Sequence, residues 1–124
     1  MKTYIYLASP YTALRADGSL DTVLMAERHM AVTICFTHLV LAGLIVYCPI
    51  TMTHPIDVKH NLGGKFWYEF DKPFIQYASQ LFILKLPGWE ESEGLQEELK
   101  AALARKIPIT YLEFNPTSAH RLGE

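Results

Sequence analysis

A chain of 124 residues, half of them hydrophobic and 19% charged, is long enough for one globular core and no more. The net charge of −2 argues against a nucleic-acid polymer as partner, because phosphate contacts draw on a basic face. Cys35 and Cys48 both sit in apolar runs and read as reduced core residues of a cytoplasmic protein, with a disulfide as the alternative.

Met1, Lys2 and Thr3 lead straight into a β-forming run, with no signal-peptide pattern. That run, Tyr4 to Ala8, is continuously apolar, as suits a strand covered on both faces. It stops at Ser9-Pro10-Tyr11-Thr12, since proline cannot continue a central strand. A polar loop with Gly18 follows. Asp21 is the expected N-cap of a helix running to about Ala42, with Val23, Ala26, Met30, Ile34, Thr37 and Leu41 as its apolar stripe and Gly43 as its stop. The apolar stretch Met30 to Cys48 is interrupted by Thr33, Thr37, His38 and Gly43, so no membrane span is expected.

Leu44 to Cys48 is a second buried strand, closed by Pro49. Ile50 to Lys65 has no clear period and reads as a long connection, either functional or mobile. Phe66 to Tyr77 reads as a helix that Pro73 kinks or divides. Leu81 to Leu86 is a third strand. Ser92 then opens a helix that Arg105 and Lys106 close, and Ile107 to Leu112 forms a fourth strand. The tail from Asn115 is expected to fray.

Strands alternating with helices call for a single α/β domain over residues 1–124. The expected architecture is a three-layer, flavodoxin- or Rossmann-like parallel sheet of four to five strands. Ligands of such sheets bind beyond the carboxyl ends of the strands, where strand order reverses. Ser9 to Thr12, Pro49 to His54 and Gly88 to Gly94 must all lie at those ends.

The helix after Ser92 separates two neighbouring glutamates. At about 100° per residue, Leu95, Leu99, Ala102 and Leu103 share the apolar face, Glu97 faces solvent, and Glu98 falls at the core edge. Gly94 lowers helix stability by roughly 1 kcal/mol against alanine, but leaves the backbone open to close approach. Glu98 is therefore either a ligand-facing carboxylate or a plain rim residue of an amphipathic helix. No metal-binding spacing is visible around His54 and His60. Neither Gly-x-Ser-x-Gly nor a glycine-rich phosphate loop is present, and no cofactor is expected.

Three stretches resemble the nucleoside 2-deoxyribosyltransferase superfamily, which includes deoxynucleoside 5′-monophosphate N-glycosidases. Within it, the chain looks most like a small bacterial and phage family without an assigned activity. The stretches are Tyr6-Leu7-Ala8-Ser9-Pro10-Tyr11, Trp67 to Asp71, and Gly88-Trp89 followed by Ser92-x-Gly94-x-x-x-Glu98-x-x-x-Ala102. The resemblance implies that Glu98 is a nucleophile attacking the anomeric carbon of a nucleoside, with a covalent glycosyl-enzyme resolved by water or by a second base. It implies that Asp71 contacts the substrate as a second catalytic group. It also implies that Ser92 and Gly94 hold a sugar hydroxyl or a phosphate at the helix start, and that Ser9 and Tyr11 border the sugar and base. His54 and Trp89 are further candidates for substrate binding. Eight residues after Asp71, superfamily enzymes commonly carry a second aspartate; this chain has Ser79, which can hydrogen-bond but is no carboxylate at neutral pH.

The expected function is cleavage or exchange of N-glycosidic bonds in a small nucleoside or nucleotide. The alternatives are a catalytically silent nucleotide-binding module and a scaffold protein of the same fold. Phe66, Trp67, Tyr68 and Phe70 crowd one segment with aromatic surface, and aromatics are enriched at interfaces, so a homodimer or larger assembly is expected.

Overall fold

The computed structural model describes residues 3–114. In chain order these form β1 (Ile5–Ala8), α1 (Thr22–Leu41), β2 (Val46–Tyr47), α2 (Pro49–His60), α3 (Gly64–Gln76), β3 (Gln80–Lys85), α4 (Glu93–Arg105) and β4 (Ile109–Glu113), with one 3-10 turn at Trp89–Glu91. All pairings between these four strands are parallel, and the strand order is β2-β1-β3-β4.

Alternation along the central strands divides the core into two layers. Tyr6, Ala8, Leu81 and Ile83 face one side, where Ile75 of α3 and Leu95 and Ala102 of α4 cover them. Leu7 and Leu84 face the other, against Val32 of α1 and Cys48. Both faces of β1 and β3 are thus sealed, which explains why they read as unbroken apolar runs. Each buried Leu or Ile contributes roughly 1.5–3 kcal/mol.

The caps explain where the helices begin and end. Asp21 accepts from the Leu24 amide at 3.0 Å to open α1, and Gly43, at φ +91°, ends it. Ser92 accepts from the Leu95 amide at 3.3 Å to open α4. Lys106, at φ +59°, closes α4 in the left-handed conformation usually left to glycine.

Four expectations need correction. The stripe assigned to α1 faces outward: Met30 is 65% and Leu41 78% exposed, whereas Met25 and Val32 are buried, with Cys35, Phe36 and Leu39 packed beside them. Apolar residues stand on more than one side of this helix, so periodicity does not choose its inner face. By length and composition α1 is also apolar enough to cross a membrane; here it lies on the sheet, with Val32 fully buried. Second, Ile50 to Lys65 is not an irregular connection. Most of it is α2, with Pro49 at the start, where its fixed φ suits a first turn, and Pro55 inside. Third, Pro73 does not divide the helix in two, since α3 is continuous from Gly64 to Gln76. Fourth, Leu103 of α4 is 59% exposed and leaves the core to Leu95, Leu99 and Ala102. Cys35 and Cys48 are free thiols, and burial raises the pKa of each.

Candidate active site

From β1 the chain crosses to β2 on one side, and from β3 it crosses to β4 on the other, so strand order reverses between β1 and β3. A cleft of about 890 Å³ opens at this point, between the end of β1, helices α2 and α3, and the start of α4. Six residues singled out from the sequence line it: Ser9, Tyr11, Asp71, Ser92, Gly94 and Glu98.

The start of α4 supplies one wall. A Cβ added at Gly94 would meet nothing within 4 Å, so packing inside the protein does not require glycine there. Glu97 and Glu98 part company one residue into the next turn. Glu97 reaches the rim of the cleft, but its side chain is 47% exposed and pairs with Lys100 at 3.4 Å. Glu98 is densely surrounded by protein and keeps only partial exposure at the cleft. Burial pushes its carboxyl up to about 8; the Tyr6 hydroxyl lowers it in part, and the Asp71 charge adds to the rise.

Tyr6 and Asp71 complete this end. Tyr6 is 0% exposed, and its pKa is raised well above the usual value by burial, then by the charges of Glu98 and Asp71. Its hydroxyl is close enough to polarise the Glu98 carboxyl, but falls short of hydrogen-bond geometry and stays a buried donor without a partner. Ser9, 3% exposed, carries a second unpartnered hydroxyl on the cleft. Asp71 accepts from the Tyr47 hydroxyl at 3.2 Å; burial pushes it up to about 6, and that bond opposes the rise. With two carboxyls this close, ionising one holds the proton on the other. Between about pH 6 and 8 the pair holds one proton between its two carboxyls.

The wall toward α2 and α3 is organised differently. The Tyr11 hydroxyl lies 2.6 Å from His54 Nδ1 and 3.2 Å from Asp57 Oδ2. Its single proton serves one of them at a time. Asp57 also accepts from Trp67 Nε1 at 2.7 Å and from the Leu62 amide at 3.3 Å. Thr53, Trp67 and Tyr68 line the cleft on this side.

Three candidates from the sequence lie elsewhere. Ser79 precedes β3, at the amino edge of the sheet, and its amide and hydroxyl both donate to the Tyr4 carbonyl, at 2.9 and 3.0 Å. A residue there cannot substitute for a carboxylate in the cleft at the opposite edge. Trp89 packs against Tyr111, ring centroids 5.7 Å apart, and does not line the cleft. His54 stands behind Tyr11, stacked on His29 at 4.2 Å, and its pKa is lowered by burial, then by His29.

Tyr6, Asp57, Trp67 and Arg28 were not among those candidates. A phenol inside a strand buried on both faces is a signal for Tyr6, since such a hydroxyl needs a partner. Arg28 of α1 donates to the carbonyls of Tyr11, Thr12 and Pro87, at 3.4, 3.0 and 3.1 Å, and so joins the loops after β1 and β3. Gly88, at φ +88°, leaves room for it; a Cβ there would come within 2.7 Å of Arg28 Nη2.

Among the described residues no group of three or more His, Cys, Asp or Glu side chains could hold a metal ion. No curated protein matches the chain. A family model described as a domain of unknown function, DUF1937, matches residues 3–114, and the chain belongs to that family.

Proposed function

We propose that the protein cleaves or exchanges the N-glycosidic bond of a nucleoside or nucleotide, with Glu98 as nucleophile. The observation that carries this is a glutamate carboxyl densely surrounded by protein at the strand-order reversal, beside two buried hydroxyls that lack partners. In this reading Tyr6 and Ser9 bind sugar hydroxyls. Ionised Glu98 attacks the anomeric carbon through a carboxylate oxygen. The C–N bond breaks, its electron pair leaves with the base, and Asp71 in its acid form supplies a proton to that base. Water or a second base then displaces Glu98, and its proton returns to Asp71. The open backbone at Gly94 supports a ligand passing close to the start of α4.

The test is release of free base, followed by chromatography, from deoxynucleosides, ribonucleosides, their 5′-monophosphates and NAD. Release should be highest between about pH 6 and 8, where the Glu98–Asp71 pair holds a single proton, and Glu98→Gln should abolish it. No release from any of these compounds between pH 6 and 9 would contradict the assignment. One observation favours a second reading, a silent nucleotide-binding module. At neutral pH Glu98 keeps its proton and is a hydrogen-bond donor rather than a nucleophile. In that case the same compounds bind without turnover, and Glu98→Gln weakens binding.

The proposal extends to a cytoplasmic homodimer. Leu62, Phe66 and Phe70 are exposed beside the cleft residue Lys65, and a second copy would cover them. Light scattering showing only monomer at micromolar concentration would contradict this assembly.

A further inference from the structure

The cleft has a reactive end and an aromatic wall, and separate parts of the chain build them. Glu98 and Tyr6 come from α4 and β1. Trp67 and Tyr68 come from α3, and Tyr11 from the loop after β1.

Trp67 is fixed more firmly than a rim residue needs to be. Its N–H is bound to Asp57 at 2.7 Å. Phe66 and Phe70 meet its ring at steep angles, 87° with centroids 4.9 Å apart and 79° with centroids 5.6 Å apart. The indole nonetheless stays partly exposed where it lines the cleft. Asp57 itself is 7% exposed and takes three donors, from Tyr11, Leu62 and Trp67. A single carboxylate on α2 thus holds an aromatic of α3, an aromatic of the β1 loop, and the turn between α2 and α3. A ring whose polar edge is satisfied internally has only its π surface to offer a ligand, and holding it still reduces the ordering cost of binding.

We infer that Trp67 is the stacking platform for a planar heterocyclic ligand group, and that Asp57 is the positioning residue that holds this platform. Resting on the nucleoside reading, this assigns the base to the Trp67 wall and the sugar to the Glu98 end. Trp89, packed against Tyr111 and outside the cleft, takes no part.

The experiment uses the full chain carrying Trp89→Phe, so that Trp67 is the only tryptophan and reports by fluorescence. The probes are free adenine, guanine, cytosine, thymine and uracil, with deoxyribose as the control. At least one base should quench Trp67, and deoxyribose should not. Trp67→Leu, followed by calorimetry, should weaken that base roughly five- to a hundredfold, the range for loss of one base–aromatic stack. Trp67→Phe, which keeps a ring, should retain most of the affinity. Asp57→Asn should weaken the base and shift the Trp67 emission while circular dichroism stays native; a merely structural aspartate would leave base affinity in the folded fraction unchanged. If Asp57→Asn does not fold, the Leu and Phe variants of Trp67 decide. No quenching by any of the five bases, or equal base affinity in Trp67→Leu and its parent, would overturn the inference. Free-base binding needs no turnover. Base binding without base release therefore defeats the catalytic reading alone, and base release with Trp67 indifferent to bases defeats this inference alone.

Discussion

Asp57 and Glu98 are both enclosed acids at one cleft, and they differ in how their oxygens are satisfied. Asp57 receives three donors from three parts of the chain. Glu98 has the Tyr6 hydroxyl and the Asp71 charge for neighbours, and burial raises its pKa to about 8. A buried carboxylate that accepts several hydrogen bonds stabilises the arrangement around it, whereas one whose charged form is disfavoured by burial destabilises the empty protein when it ionises. Strain of the second kind persists where a ligand completes the site, and this separates a supporting acid from a candidate reactive one.

The largest expected difference is in turnover. Glu98→Gln should lower base release at least a thousandfold, which corresponds to about 4 kcal/mol of barrier, while Trp67 emission stays unchanged. A loss of tenfold or less would put Glu98 in the same supporting class as Asp57. Stability should show the reverse order. Asp57→Ala leaves the Leu62 amide and the Trp67 N–H without their acceptor, while the Tyr11 hydroxyl keeps His54, and should cost about 2–4 kcal/mol in urea denaturation. A cost below about 1 kcal/mol would show that water replaces the carboxylate.

The pH dependence sharpens the contrast. Glu98 and Asp71 are raised from 4.5 and 3.8 to about 8 and about 6, so the folded state binds their protons more tightly than the unfolded state does. Their stabilising contribution is complete below about pH 4 and is lost as pH rises, through about 6 for Asp71 and about 8 for Glu98. Glu98→Gln should flatten the fall between pH 6 and 8, as read from denaturation midpoints. An unchanged slope there would mean that Glu98 titrates as an ordinary surface carboxylate.

The smallest effects belong to two controls. Ser79→Ala removes a hydroxyl bound to the Tyr4 carbonyl and should cost about 1 kcal/mol, with base release unchanged. Glu97→Gln breaks an exposed pair with Lys100 and should alter stability by less than about 1 kcal/mol and base release by less than twofold. A large loss of base release in either would require a second functional carboxylate or a site extending beyond the cleft.

The parallel sheet and the separation of Glu98 from Glu97 were legible in the sequence because both follow from local signals. Continuous apolar runs mark strands covered on both faces, and a helix capped at Ser92 fixes the angular position of each later residue. The inner face of α1 was not legible, since a helix with apolar residues on more than one side offers no preferred face. Asp57 was hidden because its partners Tyr11 and Trp67 lie 46 and 10 residues away and meet it only in the folded chain. Ser79 was reached by counting back from the Gly88-Trp89 pair to the position eight residues after Asp71. A count along the chain does not show which edge of the sheet it ends on, and this one ends just before β3, at the amino edge.

The most direct test of Glu98 as nucleophile is the intact mass of protein acid-quenched within milliseconds of mixing with a deoxynucleoside at pH 8, followed by peptide mapping. The expected result is a transient gain of one deoxyribosyl group on the peptide containing Glu98, absent in Glu98→Gln and present in Glu97→Gln. Base release at the wild-type rate from Glu98→Gln, or an adduct mapping to any other residue, would contradict it.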